Sequence, residues 1–176
     1  MKSFAKTAGA GMLVLALMGS QANGQALRGH NTNAPVDVAA DRIEVQDRAD
    51  RAIFSGDVIA RQGDMTLSAA RLTVAYSDAG GIQIDRLTAS GGVLLRSPSE
   101  TARGEYAIYD LNNRVITMLG GVTLTRGESR VNGARLVLSL DTGRAVLDGG
   151  SGAVPGTTSS EDGRVSGTFT VPQRQD

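Results

Sequence analysis

Histidine and cysteine supply most nucleophilic, general-base and metal-ligand chemistry in proteins, and this chain has one histidine, His30, and no cysteine. A lone imidazole assembles neither a His-based triad nor a multi-His metal site. Set in a polar stretch, His30 reads as an ordinary solvated residue. Carbohydrate cleavage by two carboxylates is the remaining option, and 18 Asp and Glu residues supply candidates. Yet Asp78, Asp110 and Asp141 each open a turn, where an aspartate bonds its own backbone. The glycines of Gly56-Asp57, Gly91-Gly92, Gly120-Gly121 and Gly149-Gly150 are not phosphate loops, because no Lys-Ser/Thr follows and no helix starts there. They also lack the Gly-Gly-x-Gly-x-Asp pattern of calcium-binding nonapeptides. No catalytic residue, metal ligand or cofactor site is assigned.

The same glycines instead organise the chain. They stand 35, 29 and 29 residues apart, a near-constant period that marks a repeated supersecondary unit. After each glycine comes an alternating strand, as at Val58-Ile59-Ala60-Arg61, Val93-Leu94-Leu95-Arg96 and Val122-Thr123-Leu124-Thr125. A polar turn and a second strand follow, over residues 70–76, 104–109 and 134–140. Strong turn signals come next, and a third strand, over 84–89 or 115–119, leads back to the glycines. Short strands of period two with turns every few residues predict an all-β sandwich, roll or barrel. No sustained helical period occurs after residue 27.

Alternation sorts the faces, since successive side chains leave opposite sides of a strand. Leu72, Val74 and Tyr76 share one face against Arg71, Thr73 and Ala75. Leu136, Leu138 and Leu140 do the same against Arg135, Val137 and Ser139. The glycines are expected where strands begin, at bends or bulges that turn a corner. Arg61, Arg96 and Arg126 read as solvated strand ends, with phosphate contact as the alternative.

The first residues read as a targeting segment. Lys2 and Lys6 precede an apolar run from Gly9 to Met18, and small residues follow, predicting a signal peptide over 1–26 cut after Ala22 or Ala26. An uncleaved membrane anchor is the alternative. Without these residues 16 bases, all arginine, face 18 acids, a balance of −2 that gives no support for nucleic acid binding. Only Phe54, Tyr76, Tyr106, Tyr109 and Phe169 then remain as aromatics. The expected organisation is a flexible lead over 27–34, one β domain over 35–150, a flexible Gly/Ser/Thr segment over 151–163, and a short terminal strand and tail over 164–176.

The block VDVAADRIEVQDRADRAIFSGDVIARQGDMTLSAARLTVAY, residues 36–76, the later Gly-Gly-Val-x-Leu repeats and the terminal GRVSGTFTVP together carry a resemblance. The chain resembles the LptA/OstA family of periplasmic lipopolysaccharide-transport proteins over residues 35 to about 172. The resemblance implies an open, twisted antiparallel β-jelly-roll whose inside binds lipid A acyl chains. It implies lipid contacts for Val36, Val38, Ile43, Val45, Phe54, Val58, Leu72, Val74, Tyr76, Val93, Leu95, Tyr106, Ile108, Val122, Leu124, Leu136 and Leu138. It also implies head-to-tail homo-oligomers, inner- and outer-membrane transport proteins as partners, and a periplasmic location without enzymatic activity. A membrane-anchored transporter accessory and the soluble domain of an outer-membrane barrel are rivals with the same domain. A structural β-filament without lipid, or a β-helix enzyme acting on polysaccharide, is the rival from another class. Each hidden methylene is worth about 0.8 kcal/mol, so a dozen-carbon chain meets on the order of 10 kcal/mol opposing passage through water. An apolar trough removes that barrier without chemistry. From alternation alone, a trough and a closed sandwich core read alike; the resemblance favours the trough.

Overall fold

The structure, a computed structural model, describes residues 30–78, 80–150 and 164–169. The expected signal segment, residues 27–29 of the lead, the segment 151–163 and residues 170–176 of the tail lie outside the described residues. The strands are β1 (Val36–Ala39), β2 (Arg42–Gln46), β3 (Arg51–Gln62), β4 (Met65–Ser77), β5 (Gln83–Arg96), β6 (Glu100–Asp110), β7 (Val115–Arg126), β8 (Ser129–Ser139), β9 (Arg144–Asp148) and β10 (Ser166–Thr168). One 3-10 turn, Asp47–Ala49, separates β2 from β3. All strands join one antiparallel sheet in the order β1-β3-β4-β5-β6-β7-β8-β10, with β2 beside β3 and β9 beside β8. The chain adopts the expected class, an open, twisted jelly-roll-like sheet.

The glycines do not begin strands, as the repeat suggested; they lie inside long ones. Gly56-Asp57, Gly91-Gly92 and Gly120-Gly121 fall within β3, β5 and β7; there the register shifts against both neighbours of β5 and β7 and between β3 and β4, while on the other side of β3 the pairing passes from β2 to β1. Gly149-Gly150 instead follows β9. A strand carrying an extra unpaired residue bends there, and five aligned shifts make one corner line across the sheet. The backbone explains the residue choice. Gly91 and Gly92 have φ of 83° and 77°, in the left-handed region that residues with a Cβ avoid. Asp57 tolerates it at 41°, in keeping with the aspartate preference for that region.

The corner divides the sheet into two leaves. The first contains β2, β9 and residues 51–55, 71–77, 83–90, 106–110, 115–119 and 135–139. The second contains β1, β10 and residues 58–62, 65–68, 93–96, 100–103, 122–126 and 129–133. One core cluster draws on both: Leu72, Leu87 and Met118 from the first leaf, Leu67, Leu95 and Val122 from the second. The leaves therefore face each other. Small side chains at Ala60, Ala89, Ala102 and Ala107 let them approach closely enough to pack.

Candidate functional site

Register fixes what faces inward. Ile43, Phe54, Leu72, Ala89, Ala107, Met118, Leu136 and Leu147 are successive partners across the first leaf. Val45, Ala52, Val74, Leu87, Tyr109, Ile116, Leu138 and Ala145 form a parallel row. On the second leaf, Val38, Ala60, Leu67, Leu95, Ala102, Leu124, Val131 and Gly167 form the facing row. An apolar stripe thus runs the whole width of the sheet on its inner side, from β1 and β2 to β9 and β10.

The stripe is packed in its middle and open at its ends. Val58, Leu72, Val74, Val93, Leu95, Val122, Leu136 and Leu138 are buried and fill the space between the leaves, where a continuous trough was expected. Each such side chain contributes about 1.5–3 kcal/mol through burial. At the first end Ile43 and Val45 remain 55% and 56% exposed, although their row partners Phe54 and Ala52 pack on the core. Val36 and Val38 face them from β1, half-buried. At the far end a cleft of about 490 Å³ opens between the leaves, lined by Leu124, Arg126, Ser129, Val131, Gly143, Arg144, Ala145 and Phe169.

Two expected inward residues are corrected. Tyr106 and Ile108 are 39% and 37% exposed on the outer face, while Ala107 and Tyr109 point inward. The reason is the corner: β4 and β6 each place two consecutive residues outward there, Ala70-Arg71 and Glu105-Tyr106. Tyr106 therefore occupies the row of Arg71 and Arg135, not that of Leu72. Tyr76 lies beyond a second register shift at the turn end of β4. Its phenol is held above its ordinary value by desolvation first and then by Asp47, Asp50 and Asp78.

Polar groups occupy the innermost row next to the turns of the second leaf. Buried Glu100 pairs with Arg126 through its Oε1, and Glu100 Oε2 has no partner among the described residues. Arg61 and Arg96, by contrast, are exposed on the outer face. Inward Arg126 continues the i, i+2 stripe of Val122 and Leu124, a signal present in the sequence but passed over because the residue is charged. Gln62 is the second buried polar residue; it accepts a 2.9 Å hydrogen bond from the Tyr109 hydroxyl across the leaves. Burial pushes the Tyr109 phenol up, against lesser lowering by Gln62 and Arg114.

His30 is also corrected. Its side chain is 1% exposed and bonded to Asp64 and Gln62, so residues 30–34 of the expected flexible lead are tied to the roll. Partners more than 30 residues away made this invisible to a local reading. Asp110 has the turn role expected of it: it accepts from the Asn113 backbone N–H and side-chain amide, and these bonds hold its carboxyl below the usual range. Among the described residues, no three metal-ligating side chains cluster and no helix is long and apolar enough to cross a membrane.

The chain matches known proteins at three levels. A likeness in fold links it to the crystal structure of LptH from Pseudomonas aeruginosa, described as the LptA-homologous periplasmic component of the lipopolysaccharide transport device. The TM-score is 0.67 at 18% identity, over 80% of this chain and 98% of that one. An uncharacterised protein of Rhizobium meliloti (strain 1021) is 36% identical over 131 residues, 70% of each chain. Residues 37–144 match the family described as LptA/(LptD N-terminal domain) LPS transport protein. With that span covering both leaves and all but the last strands, the chain belongs to the LptA/LptD N-terminal domain family of lipopolysaccharide transport proteins.

Proposed function

We propose that the protein is a non-enzymatic periplasmic carrier and bridge component that shields lipid A acyl chains between its two leaves as lipopolysaccharide passes from the inner to the outer membrane. The observation that carries this reading is the inner apolar stripe, which spans the sheet and ends in exposed apolar side chains on one side and a cleft on the other. Acyl chains enter at those ends and spread the leaves. Lipid methylenes then replace contacts between leaves, and the stripe stays out of water.

The exposed ends also fit a second copy. Edge strands present unpaired N–H and C=O groups that invite strand addition. β2 and β9 run in opposite directions, so β2 of the next copy laid beside β9 continues the alternation of the leaf. The contact is heterologous and grows a chain of rolls rather than a closed dimer. It covers Ile43 and Val45 and joins the inner stripes end to end.

Light-activated crosslinking in cells making lipopolysaccharide tests the reading. Photoreactive residues at Val38, Ile43 and Val45 should give lipopolysaccharide adducts, whereas Arg71 and the apolar but outward Ile108 should not. Equal labelling at Ile108 would show that surface hydrophobicity alone captures lipid. Folded protein with no adduct at any inner site would leave a structural filament without lipid as the better account.

A further inference from the structure

Residues 30–34, just ahead of β1, lie across the side of the roll opposite the corner. There the turns of the two leaves come together. His30 Nδ1 is 3.0 Å from Asp64 Oδ1 and His30 Nε2 is 3.2 Å from Gln62 Oε1. The orientation of Gln62 is fixed by its other bonds: its Nε2 donates to the carbonyls of Thr32 and Ala34, each at 3.0 Å, while its Oε1 accepts from Tyr109. Both ring nitrogens of His30 therefore face acceptors. A neutral imidazole carries one N–H and can serve one of them; its other nitrogen then sets a lone pair against an acceptor oxygen. Only the doubly protonated ring satisfies both, with the Asp64 carboxylate balancing its charge. On the other leaf, Arg114 Nη2 donates to Asn33 Oδ1 at 3.2 Å and Arg114 Nη1 pairs with Asp141 at 3.0 Å.

We propose that residues 30–34 form a proton-dependent strap that bridges the two leaves, shut while His30 carries both protons and released as it loses one. The charged and titratable groups around it are Asp64 on the turn between β3 and β4, Tyr109 on β6, and Arg114 and Asp141 on two turns of the first leaf. Arg114 and Asp141 pair with each other, and the Tyr109 hydroxyl keeps its proton as donor to Gln62. The proton count of the His30 ring is left as the one that decides whether both acceptors, Asp64 and Gln62, are served. The strap ties the two leaves on the side opposite the corner, so its release frees them to part there and adds a lateral route to the entry at the ends. This holds whichever molecule enters, and does not depend on the lipid reading.

The chain has a single histidine, so its ring resonances in the intact protein, carried without a histidine tag, are unambiguous. Long-range proton–nitrogen spectra across pH should show a doubly protonated ring at the acid side. Amide exchange of Thr32 and Ala34, corrected for intrinsic rates and referred to Met118, should quicken about ten-fold as the ring loses its proton. H30Q supplies two amide hydrogens that do not titrate, so it should keep the strap protected at all these pH values. The proposal is overturned by a ring that stays singly protonated wherever the strap is protected, or by strap exchange that ignores the ring's titration. It is equally overturned if H30Q follows the same pH profile as the parent.

Discussion

The hydroxyl of Tyr109 on the first leaf donates to Gln62 Oε1 on the second at 2.9 Å, and this bond is the one buried side-chain hydrogen bond between the leaves among the described residues. Y109F keeps the ring and removes the bond, so unfolding free energy should fall by about 1 kcal/mol. Urea titration measures it. A loss near zero would mean that water or His30 fully replaces the hydroxyl.

The same phenol gives an alkaline signature. Its folded value is raised above the ordinary 10.0, chiefly by burial, so the folded state holds this proton more tightly than the unfolded state. Its contribution is therefore full below the unfolded value and is lost as pH rises through the folded one. Stability measured across this range should decline more steeply for the parent than for Y109F. Parallel curves would assign the alkaline loss to other groups.

The corner glycines should differ within one pair. A Cβ on Gly91 would meet the Ala70 Cβ at 2.8 Å, in addition to requiring a φ of 83°. A Cβ on Gly92 would meet nothing within 4 Å. G91A is expected to cost about 3 kcal/mol and G92A about 1–2 kcal/mol, because both alanines must take a left-handed φ but only the first also meets a neighbour. Thermal or urea unfolding of the two variants settles it; equal costs would mean that φ alone governs the corner.

Much of the fold was legible from period-two alternation, which is local. The face of β8 followed directly from Leu136 and Leu138, both buried. The corner was harder, since whether a glycine pair ends a strand or bends it depends on the partner strand. Aligning Tyr106 with Leu72 rather than Arg71 inverted one strand for this reason, as a one-residue slip must. Most residues of the apolar stripe are buried, but its closure in the middle depends on how near the leaves come. Small residues such as Ala89 and Ala102 decide that through packing, which no pattern of polarity reports.

The buried Glu100 carboxylate should make Arg126 indispensable unless both are removed. R126A strands a charge whose Oε2 already lacks a partner, and should destabilise by about 3 kcal/mol. Replacing both, as E100L with R126A, removes the buried charge and should recover the parent stability to within about 1 kcal/mol. Additive losses in this cycle would show that the two side chains act independently.

The proposed stacking predicts a specific junction. Within the first leaf one row begins at Arg42 and ends at Asp148, passing through Ser55, Arg71, Ser90, Tyr106, Leu119 and Arg135. If β2 of the next copy joins β9 without a slip, Arg42 lies beside Asp148, Ile43 beside Leu147 and Val45 beside Ala145. A slip of one residue would turn Ile43 and Val45 outward, so the apolar row enforces the register that pairs the charges. R42D sets two carboxylates side by side at every junction and D148R sets two guanidinium groups there. Each should weaken association by about 1 kcal/mol, roughly five-fold, in sedimentation equilibrium at low salt. The double exchange R42D with D148R restores opposite charges and should restore association. If both single variants associate like the parent, the copies do not meet through β2 and β9 in this register; if the double variant is as weak as the singles, the charges do not face each other.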